Sequence, residues 1–246
     1  IMSVNSAEAA IVYYFGSAVI VSLISIYLLQ RRLASILSGV EPSYKTRYWF
    51  GIAAPIMVGA VAHLSLDRID LLILGAIRTP EEVGLYAAAS RLSTLVILGM
   101  GVVATVITPT LASQYSKKQF GQFRHGLRKA ALLSMFAGFI VALPLMLFPA
   151  LILSIFGMEF QRVDSVLQIL TIGQIVCASV GPAGAALLLS GRQKFFATAT
   201  LIAALTKAIA AILVAPQFGM IGVAIVSALV VSVLNITLFS SVYRIK

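Results

Sequence analysis

Charged residues are scarce in this chain of 246 residues, of which 11% are charged and 60% are hydrophobic. An ordinary soluble domain carries about 25% charged residues. Apolar runs of about 20 residues, each long enough to cross a hydrocarbon layer of about 30 Å as a helix, recur along the sequence. The composition therefore excludes an ordinary soluble domain and predicts an all-α fold, a polytopic bundle of transmembrane helices.

Cysteine and catalytic motifs are scarce as well. The single cysteine, Cys177, excludes a disulfide or a cysteine metal site within one chain. The sequence has no nucleotide-binding loop, metal-ligand cluster, nucleophile elbow or paired-carboxylate site, and the tetrapeptide DRID at 67–70 is only a weak sign of an intramembrane transferase. We therefore expect a protein that is not an enzyme and that uses no metal and no cofactor.

The apolar runs predict about seven membrane spans. They lie at about 10–30, 48–77, 85–111, 130–156, 165–190, 195–215 and 220–243. Because the chain begins with Ile1, we interpret it as a fragment. We expect residues 1–30 to hold the last helix of a missing N-terminal bundle, 31–47 to form a cytoplasmic linker, and 48–246 to form a C-terminal six-helix bundle.

Lysine and arginine are distributed unevenly between the loops. Thirteen of the 18 basic residues fall in alternate loops, whereas the opposite loops hold only Arg78 and Arg162. By the positive-inside rule, this pattern predicts a multi-pass membrane protein with its N-terminus outside and its C-terminus in the cytoplasm. The net charge of +10 follows from this placement. We therefore expect membrane lipid, and not nucleic acid, as a partner.

Several charged residues fall inside the predicted spans. His63, Asp67 and Asp70 share one helical face, and Arg68 points away from it. Arg91 follows the next turn at the same depth as Asp70, so we expect these two side chains to pair. Ionisable residues within a membrane usually face a cavity. Our candidate cavity residues are Arg91, Asp70, Asp67, Arg68 and Lys207.

Less specific interpretations of these residues stay open. Asp67, Arg68 and Asp70 could lie at the outer headgroups if the span ends early, and Arg68 and Lys207 could extend their long side chains towards the interface. His63 is more often a packed, hydrogen-bonded residue than a proton relay.

A basic segment at 116–130 interrupts the apolar runs. Phe120, Phe123 and Leu127 lie on one side of a predicted short amphipathic helix. Its basic residues could bind anionic headgroups of the cytoplasmic leaflet, and a solvated loop is the alternative. The candidate membrane-surface residues are Lys117, Lys118, Arg124 and Arg128.

Three stretches carry a resemblance to a known family: DRIDLLILGAIRTPEEVGLYAAASRL at 67–92, GPAGAALLLSGRQKFF at 181–196, and VAPQFGMIGVAIVSAL at 214–229. Their order and spacing resemble the C-terminal half of the polysaccharide and oligosaccharide flippases, such as the O-antigen flippases. These belong to the multidrug/oligosaccharidyl-lipid/polysaccharide exporter superfamily.

The resemblance implies two six-helix bundles around a cavity that opens alternately to each side of the membrane. The implied cargo is an undecaprenyl-pyrophosphate-linked oligosaccharide, moved outward for polysaccharide biosynthesis, and the implied location is the bacterial cytoplasmic (inner) membrane. Arg91 is similar in position to cationic cavity residues of such flippases. The implied partners are this cargo, the missing N-terminal bundle of the same protein, and polysaccharide polymerase machinery as a further candidate. The alternatives are a cation-coupled multidrug antiporter of the same superfamily and a non-transporting membrane scaffold.

Overall fold

Long helices joined by short loops make up the chain in a computed structural model that describes residues 7–36 and 44–244. In these two ranges there is no β-strand, which confirms the predicted all-α polytopic fold. The helices are α1 (Ala7–Ile36), α2 (Thr46–Ile77), α3 (Pro80–Thr94), α4 (Leu98–Ser116), α5 (Phe120–Leu147), α6 (Pro149–Leu153), α7 (Asp164–Val180), α8 (Ala183–Leu189) and α9 (Gln193–Val242).

The chain divides into two compact units, Ile1–Thr46 and Arg47–Lys246. The first unit contributes α1, a single apolar helix long enough to cross a membrane. The second unit contains α2 to α9. The predicted linker at 31–47 lies partly outside the described residues, which omit 37–43.

The last helix, α9, is two arms joined at a kink. An unbroken α-helix of 50 residues would extend about 75 Å, far more than a membrane needs. Pro216 has no amide proton for the helix, and Gly219 breaks the helical geometry with φ of 57° and ψ of −145°. The first arm covers 193–218 and the second 220–242. Six helices of the described ranges are long and apolar enough to span a membrane, and the two arms of α9 bring this count to the predicted seven.

Helix α3 begins earlier than predicted. It starts at Pro80 and not near residue 85, because Thr79 caps it by accepting a hydrogen bond from the Glu82 amide at 3.3 Å. Glu81 and Glu82 in the first turn also complement the positive end of the helix dipole.

The predicted span at 165–190 is interrupted, and this expectation was wrong in detail. Helix α7 ends at Val180, and Gly181 adopts a φ of 63° before the short helix α8. A Cβ atom on Gly181 would lie 2.8 Å from the Cα atom of Ala131. Glycine is therefore needed here both for the backbone turn and for the close approach of α5.

The basic segment does not form a separate surface helix. It leads directly into α5, which runs without a break from Phe120 to Leu147. Phe123 and Leu127 are almost completely buried against the protein. The prediction of a short helix lying on the leaflet was therefore wrong, because its apolar face packs into the bundle and is not available to lipid.

Two apolar clusters form the core of the second unit. One includes Leu74, Tyr86, Leu145, Leu167, Ala211 and Val223. The other includes Leu66, Leu111, Phe123, Leu127, Ala203 and Leu234. Along α2, Asp70 lies one turn from Leu66 and one turn from Leu74, and along α9 Lys207 lies one turn from Ala203 and one from Ala211. A buried polar layer therefore separates the two clusters.

Candidate functional site

Asp70 and Lys207 form a buried ion pair at the centre of this polar layer. The Lys207 Nζ atom lies 3.0 Å from the Asp70 Oδ2 atom. The exposed fractions of the two residues are 5% and 3%. Lys207 Nζ also donates a hydrogen bond to the backbone oxygen of Leu66. The lysine thus binds α2 at two points one turn apart.

Two hydroxyl groups complete the environment of the same carboxylate oxygen. The Tyr86 hydroxyl donates to Asp70 Oδ2 at 2.8 Å, and Ser227 Oγ donates to it at 2.6 Å. Asp70 comes from α2, Tyr86 from α3, and Lys207 and Ser227 from the two arms of α9. One oxygen atom therefore joins four helical segments.

The contribution of this ion pair to the stability of the bundle depends on its burial. An isolated charge in an apolar interior is costly, and only a partner at short distance with further hydrogen bonds offsets that cost. Removing one partner of a buried pair typically destabilises a protein by about 3–5 kcal/mol, because the other charge is left uncompensated. The mutual dependence of Asp70 and Lys207 therefore holds α2 against the first arm of α9.

A small polar cleft adjoins the ion pair. It has a volume of about 50 Å³, enough for one or a few water molecules. Two carboxylates and one ammonium group give its lining a formal charge of −1. The Asp70 Oδ1 atom is buried and, within the described residues, has no hydrogen-bond partner. The polar and charged lining residues are Asp67, Asp70, Ser90, Ser93, Thr94, Gln174, Lys207 and Ser227.

The predicted Asp70–Arg91 pair is not found. Asp70 pairs with Lys207, and the Arg91 side chain is exposed, with no ion pair between Asp70 and Arg91 in the described part of the chain. Equal depth on neighbouring helices was a necessary condition for pairing, but the rotation of α3 decides which side chains face α2. The face of α3 towards the cleft presents Ser90, Ser93 and Thr94.

The other candidate cavity residues differ in position. Asp67 is exposed yet lines the cleft, whereas Arg68 is exposed and lies outside the cleft lining. Lys207 is buried, so the interpretation that its chain reaches the interface was wrong. Asp70 is buried within the bundle and is therefore not exposed to lipid headgroups. His63 is exposed, with its ring 6.5 Å from that of Phe196.

Tyr86 and Ser227 were missed by sequence reasoning. Tyr86 is fully buried in an otherwise apolar cluster, and Ser227 is 4% exposed. A tyrosine and a serine inside apolar runs are common, and neither carries a motif. Their spacing from Asp70 along the chain gave no reason to bring the three together.

An arginine side chain donates hydrogen bonds to backbone oxygens near the end of each arm of α9. Arg78 Nη2 donates to the backbone oxygens of Ala215 at 2.8 Å and Pro216 at 3.1 Å, just before the kink. Arg192 donates to the backbone oxygens of Ser241 at 3.3 Å and Arg244 at 3.1 Å, where the second arm ends. Carbonyl groups at a helix end have no hydrogen-bond donor within the helix, and the arginine side chains donate these missing hydrogen bonds.

Sequence comparisons agree with the resemblance noted above. Residues 1–115 match the family described as polysaccharide biosynthesis protein. The probable low-salt glycan biosynthesis flippase Agl15 of Haloferax volcanii is 28% identical over 212 residues, which cover 84% of this chain. The chain spans about half the length of this curated relative, 45% of it. No solved structure matches the chain.

The chain is therefore similar to a polysaccharide biosynthesis family over its first 115 residues, and to a probable glycan biosynthesis flippase over most of its length. The six long apolar helices of the described residues, together with these similarities, indicate a multi-pass membrane protein.

Proposed function

We propose that this chain, which is similar to polysaccharide biosynthesis proteins and to a probable glycan flippase, supplies the second bundle of a flippase for a lipid-linked oligosaccharide. The cargo is an undecaprenyl-pyrophosphate sugar, carried outward across a cytoplasmic membrane with the C-terminus of the protein on the inner side. Residues 48–246 form this bundle, and α1 ends the bundle that precedes it. The complete cavity requires both bundles, because the cleft of about 50 Å³ is too small for a sugar chain.

The observation that carries the proposal is the buried Asp70–Lys207 pair beside a polar cleft within an apolar bundle. Charges at membrane depth are costly and usually serve a pathway. Here the pair fixes α2, α3 and both arms of α9 around the cleft. This arrangement lets the bundle move as one body when the cavity opens to the other side.

The residues in and beside the cleft suggest which side chains contact the sugar and which contact the pyrophosphate. Ser90, Thr94 and Gln174 supply groups that hydrogen-bond to sugar hydroxyls. Arg91 lies next to Ser90 on α3 and is exposed. A guanidinium group binds phosphate through two parallel hydrogen bonds, so Arg91 is suited to the pyrophosphate. Arg68, also exposed within the span, can add positive charge along α2.

Transport by the full-length protein in proteoliposomes tests this function. A fluorescent lipid-pyrophosphate oligosaccharide should move between leaflets only in vesicles that contain the protein. Arg91→Ala should slow this movement, whereas Arg162→Ala, which removes an exposed arginine paired with Glu81 elsewhere, should not. Movement of the lipid at the rate of empty vesicles would refute the proposal.

One observation favours a second candidate, a cation-coupled antiporter. Two carboxylates and one lysine line the cleft, and Asp70 Oδ1 lacks a partner among the described residues. Such a site suits a small cation better than a phosphate. Uptake of an organic cation dye driven by a sodium or proton gradient, without movement of the lipid-linked sugar, would favour this function.

A further inference from the structure

A groove at the basic end of the bundle has the polarity of a phospholipid. It lies between α5, α7 and the second arm of α9. Its lining residues are Arg128, Ala131, Leu132, Ser179, Phe239 and Tyr243. Arg128 and Tyr243 form its polar end, and Leu132 and Phe239 each lie one helical turn from them towards the membrane interior. Charge therefore gives way to apolar surface within about 6 Å.

Tyr243 orients Arg128 without occupying all of its hydrogen-bond donors. Arg128 Nε donates to the Tyr243 hydroxyl at 3.1 Å, and the guanidinium carbon lies 5.4 Å from the centre of the tyrosine ring. The ring of Phe239 supports the tyrosine from the side, with centroids 5.1 Å apart. No other hydrogen bond or ion pair to Arg128 occurs in the described ranges. Both terminal nitrogens of Arg128 thus stay available to an external anion.

The charged residues around the groove favour a negatively charged ligand. Lys129 is adjacent and exposed, and Arg192 and Arg244 lie near the same end of the second arm. The sequence has no Asp or Glu between Glu82 and Glu159, and none after Asp164. No acidic side chain of α5 or α9 can therefore compete for Arg128.

We propose that this groove is a binding site for one anionic phospholipid of the surrounding leaflet. The phosphate accepts hydrogen bonds from the two terminal nitrogens of Arg128, with the planar fork that suits a phosphate group. The upper part of an acyl chain lies on Leu132 and Phe239. The site is distinct from the Asp70 cleft, since no residue lines both.

This proposal differs from general attraction of a basic surface to a membrane. Diffuse attraction depends on the number of charges and is similar for neighbouring basic residues. A fixed site depends on one oriented guanidinium and on the apolar contact beneath it. Arg128 and Lys129 provide the comparison, because they are adjacent and exposed on the same helix and only Arg128 lines the groove.

Native mass spectrometry of the full-length protein in detergent tests the site. The protein is titrated with phosphatidylglycerol, with phosphatidylcholine, and with inorganic phosphate. We expect one tightly held phosphatidylglycerol, and Arg128→Gln should weaken its binding about tenfold, the effect of losing charged hydrogen bonds. Lys129→Gln should weaken it less than about twofold, the scale of a single surface charge in salt. Arg128→Lys should lie between wild type and Arg128→Gln.

Three results would overturn the proposal. Equal losses in Arg128→Gln and Lys129→Gln would show diffuse electrostatic attraction only. Equal binding of phosphatidylcholine would show that charge does not select the lipid. Displacement of the lipid by inorganic phosphate at comparable concentration would show an anion site to which the apolar groove adds nothing. If Arg128→Gln is not monodisperse, the comparison of Arg128→Lys with Lys129→Gln decides the question in the same way.

Discussion

The Oδ2 atom of Asp70 lies 3.0 Å from the Lys207 ammonium group and also accepts hydrogen bonds from the hydroxyl groups of Tyr86 and Ser227. The two residues lie on helices that are far apart in the chain, and they meet between two apolar clusters of the core. The position of α9 relative to α2 therefore depends on this contact as well as on apolar packing.

The first prediction concerns the coupling of the two charges. Lys207→Met and Asp70→Asn should each destabilise the bundle, and Lys207→Met by about 3 kcal/mol or more, because it leaves a buried carboxylate without its counter-ion. The double variant should be less destabilised than the sum of the two single variants, since no unpaired charge remains. Thermal unfolding in detergent measures this, and strict additivity would contradict the pairing.

The second prediction concerns the hydroxyl groups on Asp70. Tyr86→Phe and Ser227→Ala should each destabilise the protein by about 1–3 kcal/mol, because a buried hydrogen bond to a charged group is lost. Ser65→Ala is the matched control, since its hydroxyl donates to the Val61 backbone oxygen of its own helix and is not bonded to Asp70. A loss in the control as large as in Tyr86→Phe would argue against a specific role of these hydroxyls.

The third prediction is that Arg91 contributes to transport but not to the stability of the bundle. Because its side chain is exposed, Arg91→Ala should leave the unfolding temperature within about 2 °C of wild type. The same change should reduce movement of the lipid-linked sugar at least about tenfold if the guanidinium binds the pyrophosphate. Arg91→Lys should restore part of the transport. Normal transport by Arg91→Ala would remove Arg91 from the substrate path.

The fourth prediction uses two glycines with positive φ. Gly181→Ala and Gly191→Ala both place a side chain on a backbone with positive φ, which costs on the order of 1–3 kcal/mol. Only Gly181 also has backbone within 3 Å of the added carbon, from Ala131, and Gly191 has open space. Gly181→Ala should therefore be the more destabilising of the two by at least about 1 kcal/mol in denaturant unfolding. Equal losses would show that α5 and α7 are not in close contact there.

The helical spans could be predicted from sequence, because an apolar run of sufficient length has few alternatives to a membrane helix. The two arms of α9 correspond to the two spans predicted at 195–215 and 220–243, since APQFG at 215–219 contains both a proline and a glycine. The break at Gly181 was not predicted. Apolar character continues through it, and only the packing of Ala131 shows why the helix must end.

The partners in the polar layer were harder to predict. Sequence gives the depth of Asp70 and Arg91 on adjacent helices, but not the rotation of α3 that turns Arg91 outward. Lys207 was recognised as an unusual charge, yet its partner lies on a helix that is distant in sequence. Amphipathicity of the segment at 116–130 was also real, but it cannot distinguish a face that packs on protein from one that packs on lipid.

The separation of Asp70 and Lys207 along the chain has a consequence for biogenesis. During synthesis α2 leaves the ribosome long before α9, so Asp70 enters the membrane without its counter-ion. Its carboxyl group must stay solvated or held by other polar groups until Lys207 arrives. Completion of α9 then acts as the step that commits the bundle to its final arrangement, and chains that stop before Lys207 should be targets for membrane quality control.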